Sequence, residues 1–255
     1  MIDLLSSYNL IAEDYEQLFP NFENTMHTWN ERLKNFIRLE DGQSKTILDV
    51  GCGIGVQSMV LAQLGFNVYA IDISEQMLEK GRKLSKNYDQ KVKFIQGDCS
   101  QLGTVLPKNL KLNGFICCGS AILHLSPDDN TKLAKKLYNL LSKGSKGLIE
   151  FFNWSYIDIE NCKWTPRSHF RNDNIESFSI EFFYDYDRQV NSSIILFERN
   201  WENNEPWQIK IQSDFCYWKY LPEEIAKFFI QAGFTKLDLL AGSIKNPTST
   251  IVLQK

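Results

Sequence analysis

The spacing of hydrophobic residues changes twice along the chain. From Leu4 to Leu18 they lie three and four positions apart, and after an interruption at Pro20 the same spacing continues from Phe22 to Leu39. Because an α-helix turns once in about 3.6 residues, this spacing predicts two amphipathic helices separated by the proline. A polar loop over 40–45 then leads into the next segment.

From residue 46 onward, short apolar runs alternate with amphipathic stretches. The runs predict strands over 47–50, 68–73, 92–96, 114–121 and 147–152, and the stretches predict helices over 57–64, 74–84 and 126–141. Apolar runs of this kind suit strands that are covered on both faces, as in a parallel sheet. The alternation therefore predicts a doubly wound α/β sheet.

Residues 154–220 follow a third pattern, in which aromatic and β-branched residues are separated by turn residues. It predicts antiparallel strands over 175–186, 189–199 and 208–219. A helix over 221–232 and two strands over 235–240 and 249–253 complete the chain. We therefore expect an N-terminal helical lid (1–45), a main domain (46–153 and 221–255) and an antiparallel β cap (154–220) inserted after the fifth strand.

Three glycines, Gly51, Gly53 and Gly55, directly follow the first predicted strand. Glycine tolerates positive φ and has no Cβ, so the backbone can turn sharply and a ligand can approach it closely. The next strand ends in Asp72, about 20 residues past the first glycine, where a carboxylate can accept hydrogen bonds from the hydroxyls of a ribose. The unit therefore predicts a site for a nucleoside-containing cofactor.

The residues around the glycines indicate which cofactor this is. The dinucleotide fingerprint requires a third glycine at position 56, where this chain has Val56. Asp49 precedes the first glycine, and an acid there suits a cationic group but would repel a pyrophosphate. Both observations disfavour a nicotinamide dinucleotide.

Composition and charge limit the classes of molecule that the protein is expected to bind. The chain has 255 residues, of which 43% are hydrophobic and 23% are charged, with a net charge of −3, so nothing favours a nucleic-acid backbone or an anionic membrane. The six cysteines form no C-x-x-C pair and have no histidine spacing for zinc. Neither a secretory leader nor a membrane-spanning run is recognisable. We expect a cytoplasmic protein that acts on a small molecule without a metal; no pattern indicates an oligomeric state.

Three stretches carry a resemblance to a known family. The segment Asp49-Val-Gly-Cys-Gly-Ile-Gly55 resembles motif I of the class I S-adenosylmethionine-dependent methyltransferases. The stretches Ile116–Leu125 and Ile149–Ile157 are similar to two segments of the glycine and sarcosine N-methyltransferase group. The resemblance implies a Rossmann-like seven-stranded sheet whose last strand is antiparallel. It also implies S-adenosyl-L-methionine as cofactor and S-adenosyl-L-homocysteine as product.

The resemblance also implies the positions that contact the cofactor. Asp98, at the end of the third strand, resembles the family's adenine-binding acid, and the leading helices of such enzymes fold over the cofactor, which makes Tyr8, Tyr15 and Trp29 candidates for the lid. The implied cofactor-binding residues are Tyr15, Trp29, Asp49, Gly51, Cys52, Gly53, Gly55, Asp72, Ile73, Met77, Asp98, Cys99 and Gly119.

The acceptor site departs from the resembled group at two positions. Ser120 replaces an asparagine, and Phe152 replaces the arginine that pairs with the substrate carboxylate in that group. We therefore expect larger and less anionic acceptors than glycine, unless Arg167 or Arg171 supplies a cation from the cap. The implied acceptor-binding residues are Ser120, Phe152, Asn153 and Tyr156.

His124 lies just past the fourth predicted strand and is the candidate catalytic residue. It could serve as a general base or orient the substrate and the loop. The sequence thus predicts a methyltransferase that acts on a small-molecule acceptor, with an amine as the acceptor considered first. The alternatives are a catalytically silent S-adenosylmethionine-binding partner or sensor and, less favoured, an NAD(P)-dependent oxidoreductase.

Overall fold

The computed structural model describes residues 2–19, 21–36, 45–87, 92–157, 164–171, 174–243 and 246–255. The predicted helix break at Pro20, the end of the second predicted helix (37–39), most of the loop over 40–45 and Cys162 lie outside these ranges.

The described chain contains the predicted helices and strands in the predicted order, but the first predicted helix is α-helical only to Ile11, and a short helix over 102–105 and a strand over 164–171 were not predicted. The helices are α1 Leu4–Ile11, α2 Phe22–Phe36, α3 Val56–Gln63, α4 Glu75–Asn87, α5 Leu102–Val105, α6 Pro127–Leu140 and α7 Pro222–Gln231. The strands are β1 Thr46–Val50, β2 Asn67–Asp72, β3 Val92–Gln96, β4 Leu112–Cys117, β5 Leu141–Phe152, β6 Trp164–Arg171, β7 Ile175–Tyr186, β8 Gln189–Asn200, β9 Gln208–Trp218, β10 Thr235–Leu240 and β11 Thr248–Gln254. Short 3₁₀ segments occur at Ala12–Leu18, Cys99–Gln101, Ala121–His124 and Trp154–Tyr156.

The larger sheet has seven strands in the order β10-β11-β5-β4-β1-β2-β3. Strands β1 to β5 run parallel, and β11 lies between β10 and β5, antiparallel to both. The expected Rossmann-like sheet with an antiparallel last strand is therefore confirmed. The strand order reverses between β4 and β1, and in such sheets a crevice opens at this point, beyond the carboxyl ends of the strands.

The second sheet has four antiparallel strands in the order β6-β7-β8-β9. Three of them match the predicted strands, whereas β6 was not predicted, because its sequence combines Pro166 with charged residues. The pairing of β6 with β7 shifts between Pro166 and Ser168, which are opposite Ile180 and Ser179. Arg167 is the extra residue of this β-bulge.

The predicted boundaries at the end of β4 and the start of β5 are wrong. Strand β4 ends at Cys117 instead of continuing to residue 121, because Gly119 and Ser120 adopt positive φ values of 65° and 68° that a strand cannot accommodate. Helix α6 ends at Leu140, and Leu141 already pairs with Leu112 of β4, so β5 begins six residues earlier than predicted, at 141 instead of 147.

Helix α1 connects the two sheets. Ser7 Oγ donates a hydrogen bond to the carbonyl oxygen of Asp214 in β9 at 2.6 Å, and Ser213 Oγ donates to the carbonyl oxygen of Ser7 at 3.0 Å. On the other side, Ser74 Oγ, just after β2, donates to Asn9 Oδ1 at 2.7 Å. These contacts hold the helix across the space between the sheets.

Candidate functional site

A cavity of about 420 Å³ lies between the carboxyl ends of the parallel strands, the inner face of the second sheet and the N-terminal segment. This volume suits a small-molecule ligand. The glycine loop after β1, the end of β2 and the loop after β4 line one side, whereas β6, β8 and β9 contribute the other. The cavity therefore combines the predicted cofactor residues with side chains of the inserted sheet.

The three glycines of the loop have different structural roles. All have positive φ, and a Cβ would lie 2.4 Å from the Ala121 side chain at Gly51 and 2.6 Å from the Phe94 ring at Gly55. At Gly53 the nearest atom is 4.0 Å away, in the ring of Tyr15, so the space beside this residue belongs to the cavity. Gly55 does not line the cavity, and the Phe94 ring occupies the space beside it.

Asp72 is held where the glycine loop meets the end of β2. Its Oδ2 accepts a hydrogen bond from the Gly53 N–H at 2.8 Å, and its Oδ1 accepts one from the Ser74 N–H at 2.9 Å. Burial raises the pKa of Asp72, while these N–H donors oppose the rise. Each carboxylate oxygen keeps a lone pair for a further donor, and Asp72 and the following Ile73 both line the cavity. These carboxylate acceptors fit a pair of ribose hydroxyls, which would donate to them.

Other predicted cofactor positions lie around the same space. Asp98 lines the cavity while one of its carboxylate oxygens accepts the Ser100 N–H at 2.7 Å. Burial raises the pKa of the adjacent Cys99 thiol to about 12. At Gly119 an added Cβ would meet nothing within 4 Å. The remaining predicted positions that line the cavity are Tyr15, Gly51 and Cys52.

Besides Gly55, three predicted cofactor residues, Asp49, Trp29 and Met77, are not among the described residues that line the cavity. Asp49 lies beneath the glycine loop and accepts a hydrogen bond from Ser58 Oγ at 2.6 Å, and burial raises its pKa to about 7. Trp29 is packed into the core, with the guanidinium of Arg32 4.2 Å from its ring centre. Met77 is fully buried in the core. Trp29 shares the buried face of α2 with Met26 and Leu33, which lie three and four residues away from it.

His124 lines the cavity in a hydrogen-bonded arrangement with Tyr8 of α1. Its Nδ1 lies 2.8 Å from the carbonyl oxygen of Cys216, and its Nε2 lies 2.7 Å from the Tyr8 hydroxyl oxygen. Because a carbonyl can only accept, Nδ1 carries the proton and Nε2 accepts the Tyr8 hydroxyl. Burial lowers the pKa of His124 to about 4, so the ring is neutral at pH 7. The imidazole also stacks on Tyr217, with ring centres 4.5 Å apart.

The predicted acceptor residues separate into two pairs. Ser120 and Phe152 line the cavity, and Ser120 Oγ accepts the Phe152 N–H at 3.0 Å. Asn153 and Tyr156 do not line it. Asn153 is buried, donates from Nδ2 to Ser249 Oγ at 3.0 Å, and accepts the Ser155 N–H at 3.1 Å. Both ends of its amide are therefore bonded to neighbouring segments of the chain.

Two charged side chains that were not predicted as site residues line the cavity. Glu150 of β5 forms an ion pair with Arg32 of α2; burial raises its pKa, and Arg32 opposes the rise. An acid inside the apolar run over 147–152 is the sequence signal that could have indicated Glu150. The sequence left open whether Arg167 or Arg171 supplies a cation from the cap. Arg167 lines the cavity and forms an ion pair with Glu181. Arg171 instead stacks on Trp201, 3.8 Å from the ring centre.

The part of the chain that the structure describes has neither a candidate metal site nor a candidate membrane-spanning helix. Over the described ranges, no group of three or more His, Cys, Asp or Glu side chains could hold a metal ion. In the same part of the chain, no helix is long and apolar enough to cross a membrane.

Comparison with known proteins gives matches in sequence and in structure. Residues 47–144 match a family model described as a methyltransferase domain. The chain is 25% identical to the glycine/sarcosine N-methyltransferase of Aphanothece halophytica over 64% of this chain and 63% of the relative. It is 29% identical to the glycine N-methyltransferase of Rattus norvegicus over 46% of this chain and 43% of the relative. The chain thus aligns with less than two thirds of the length of these curated relatives.

Solved structures match over nearly the whole chain at low identity. A S-adenosylmethionine-dependent methyltransferase of Clostridium acetobutylicum gives a TM-score of 0.71 at 19% identity, covering 97% of this chain and 98% of the other. An amino pentose methyltransferase of Micromonospora echinaspora, solved with S-adenosylmethionine bound, gives 0.71 at 15% identity, covering 95% and 94%. These similarities concern the fold.

Proposed function

We propose that this chain, which belongs to the class I S-adenosylmethionine-dependent methyltransferases, transfers a methyl group from that cofactor to an amine nitrogen of a small-molecule acceptor. The observation that carries the proposal is the placement of Asp72 and Gly53 on a cavity that continues to side chains of the inserted sheet. A cofactor site and a second binding region therefore share one enclosed space.

The residues at the glycine loop fit the cofactor S-adenosyl-L-methionine. Asp72 would hold the ribose hydroxyls, Gly53 leaves room for close backbone approach, and Asp98 and Cys99 lie where the adenine would be held. When bound, the cofactor supplies a methyl group already activated on a sulfonium. The protein must then align the acceptor with that methyl group, and alignment alone can supply several kcal/mol of the barrier.

The N-terminal segment encloses the cavity. Helix α1 is bonded to β9 through Ser7 and to the end of β2 through Asn9, and Tyr8 between them points to His124. A lid anchored to both sheets keeps bulk water away from the reacting atoms. We infer that release of α1 from one of its two anchors opens the site for ligand exchange.

His124 acts in this proposal by positioning Tyr8. Its Nε2 lone pair already accepts the Tyr8 hydroxyl, and its low pKa makes it a weak base for an ammonium group. The Tyr8 oxygen keeps a lone pair that can accept a hydrogen bond from the N–H of the acceptor amine. Such a bond orients the nitrogen lone pair, and the proton leaves to solvent after transfer. This role replaces direct proton abstraction by His124.

Two groups of similar proteins support an amine as the acceptor. The curated relatives include glycine and glycine/sarcosine N-methyltransferases, and the structural neighbours include a sugar N-methyltransferase of a Streptoalloteichus species. Their acceptors differ in size and charge but share an amine nitrogen. The common chemistry therefore supports N-methylation, while the rest of the acceptor is left to the side chains of the inserted sheet.

A two-stage assay tests the proposal. Thermal unfolding should shift upward with S-adenosylhomocysteine and not with NAD or NADP, because a ligand at about 100 times its dissociation constant adds roughly 2.7 kcal/mol. Release of S-adenosylhomocysteine is then measured with a panel of amines, amino acids, phenols and heterocycles. A shift with NAD alone would contradict the cofactor assignment. Binding of S-adenosylhomocysteine without turnover of any acceptor would instead indicate a silent binding protein.

A further inference from the structure

Arg167 occupies an unusual position in the inserted sheet. It is the extra residue of the bulge between Pro166 and Ser168, where two residues of β6 lie opposite one step of β7. Bulges break the alternation of a strand and change the direction of a side chain, and they are frequent beside active sites. Here Arg167 lines the cavity, and among the described residues it is the one arginine or lysine that does so.

The Arg167 guanidinium is held in place from the core of the inserted sheet. Its Nη1 pairs with Oε2 of Glu181, whose side chain is 1% exposed, whereas the Arg167 side chain is 27% exposed. The other Glu181 oxygen has no hydrogen-bond partner within the described ranges. A guanidinium has five N–H donors in a rigid planar fork, so one edge can serve Glu181 while another serves a ligand.

Two further donors lie beside this guanidinium. Tyr15 of the N-terminal segment and Tyr217 of β9 both line the cavity and interact electrostatically with Arg167. Burial raises the pKa of both phenols, so they stay protonated at pH 7 and can donate hydrogen bonds. Arg167 and the two tyrosines thus form a group of hydrogen-bond donors on the cavity wall. The same wall also includes the apolar residues Ile194 and Phe215.

We propose that Arg167 binds a carboxylate of the methyl acceptor, which makes the acceptor an amine that also carries an anionic group. The inference rests on the proposed methyl transfer. Arginine forks match carboxylates in geometry and charge. Because Arg167 belongs to the inserted sheet and Asp72, Gly53 and Asp98 belong to the other side, we assign the anion to the acceptor. The cation absent at Phe152 is thereby supplied from β6, which revises the expectation of a less anionic acceptor.

The test compares matched acceptors that differ only in charge. Release of S-adenosylhomocysteine is measured for glycine and glycinamide, β-alanine and its amide, and 4-aminobenzoate and 4-aminobenzamide. The variant Arg167→Gln removes the cation, and Arg167→Lys keeps the charge without the fork. Because Arg167→Gln leaves Glu181 buried without its partner, which destabilises a fold, the double variant Arg167→Gln/Glu181→Gln is included. Arg171→Gln, on the same strand but stacked on Trp201, is the matched control.

Wild type should prefer the carboxylate member of at least one pair by about tenfold or more in kcat/KM, the effect of a charge-assisted hydrogen bond. The preference should disappear in Arg167→Gln and in the double variant, weaken in Arg167→Lys and persist in Arg171→Gln. A preference for the amides in wild type, or a carboxylate preference unchanged in both folded Arg167→Gln variants, would overturn the assignment.

Two binding measurements separate this inference from the proposed function. If no acceptor is turned over, methyl transfer fails as the function. The anion site can still be tested by measuring the thermal shift of S-adenosylhomocysteine-saturated protein with each acid and each amide. A carboxylate-specific shift that Arg167→Gln abolishes supports it, and equal shifts overturn it. The second source of a carboxylate is the amino-acid portion of the cofactor itself. Calorimetry therefore compares the binding of S-adenosylhomocysteine with that of methylthioadenosine, which lacks this portion. A loss confined to S-adenosylhomocysteine in Arg167→Gln would assign Arg167 to the cofactor and overturn the acceptor assignment.

Discussion

Asp49→Asn is expected to change the pH dependence of stability and to leave cofactor affinity almost unchanged. The Asp49 side chain is 1% exposed, lies outside the cavity lining and accepts a hydrogen bond from Ser58 Oγ. Desolvation is the main cause of its raised pKa, and the nearby negative charge of Asp72 adds to it. The folded protein therefore favours the neutral acid at this position.

The sign of the effect follows from the difference between the folded and unfolded states. The pKa rises from 3.8 to about 7 on folding. Neutral Asp49 thus contributes stability that is fully present below pH 3.8 and is lost as the pH rises through about 7. A difference of about three pKa units corresponds to roughly 4 kcal/mol of unfolding free energy. Asparagine cannot ionise, so the variant lacks this loss.

Urea unfolding of both proteins between pH 4 and pH 8 measures the effect. The unfolding free energy of wild type should fall relative to that of Asp49→Asn by several kcal/mol across this range, by up to about 1.4 kcal/mol per pH unit. Parallel curves would refute the buried neutral acid. In calorimetry, the dissociation constants of S-adenosylhomocysteine for the two proteins should agree within about threefold, because no direct contact is lost. A threefold change is well below the tenfold change that about 1.4 kcal/mol would cause. A loss beyond tenfold would show that Asp49 contacts the cationic end of the cofactor.

Three other changes test neighbouring parts of the site. Gly53→Val should abolish S-adenosylhomocysteine binding by filling the space at the loop, and calorimetry showing normal affinity would exclude close approach of the cofactor there. Tyr8→Phe should lower kcat about 10- to 100-fold with little change in cofactor affinity, the scale of one lost orienting hydrogen bond, and an unchanged kcat would remove Tyr8 from the mechanism. His124→Gln should flatten the loss of stability in acid, because the His124 pKa falls from 6.5 to about 4 on folding, so its contribution is complete above pH 6.5 and is lost as the pH falls through about 4. Urea unfolding at pH 7 and pH 5 checks this, and an equal change in unfolding free energy for variant and wild type would show that folding leaves the His124 pKa unshifted.

The main sheet and the cofactor end of the site could be predicted because their signals are local. Short apolar runs determine the buried strands, and a glycine such as Gly53 followed by an acid such as Asp72 determines a turn and a carboxylate at adjacent strand ends. Parallel neighbours place these features at the same edge of the sheet. A pattern within thirty residues was therefore sufficient for this part.

The acceptor end depends on contacts between distant segments, which the sequence does not show. Arg167 faces the cavity because a bulge changes its direction, and β6 itself has no clear strand pattern. Glu150 is paired with Arg32 from a different element, and Tyr8 reaches His124 across 116 positions. Asp49 was expected at the cofactor from its place beside the glycines, but the alternation of side chains along β1 turns it into the fold. Each outcome was decided by packing rather than by local propensity.

Calorimetry of S-adenosylhomocysteine binding to wild type and Asp72→Ala tests the central claim most directly. Asp72→Ala should weaken binding by about 1–3 kcal/mol, the cost of lost hydrogen bonds to a charged group. Asp128→Ala, which removes an exposed acid from the first turn of α6, should bind like wild type. Thermal unfolding of each free variant verifies that the fold persists. Equal affinity of wild type and a folded Asp72→Ala variant, or no binding by wild type, would contradict the placement of the cofactor in this cavity.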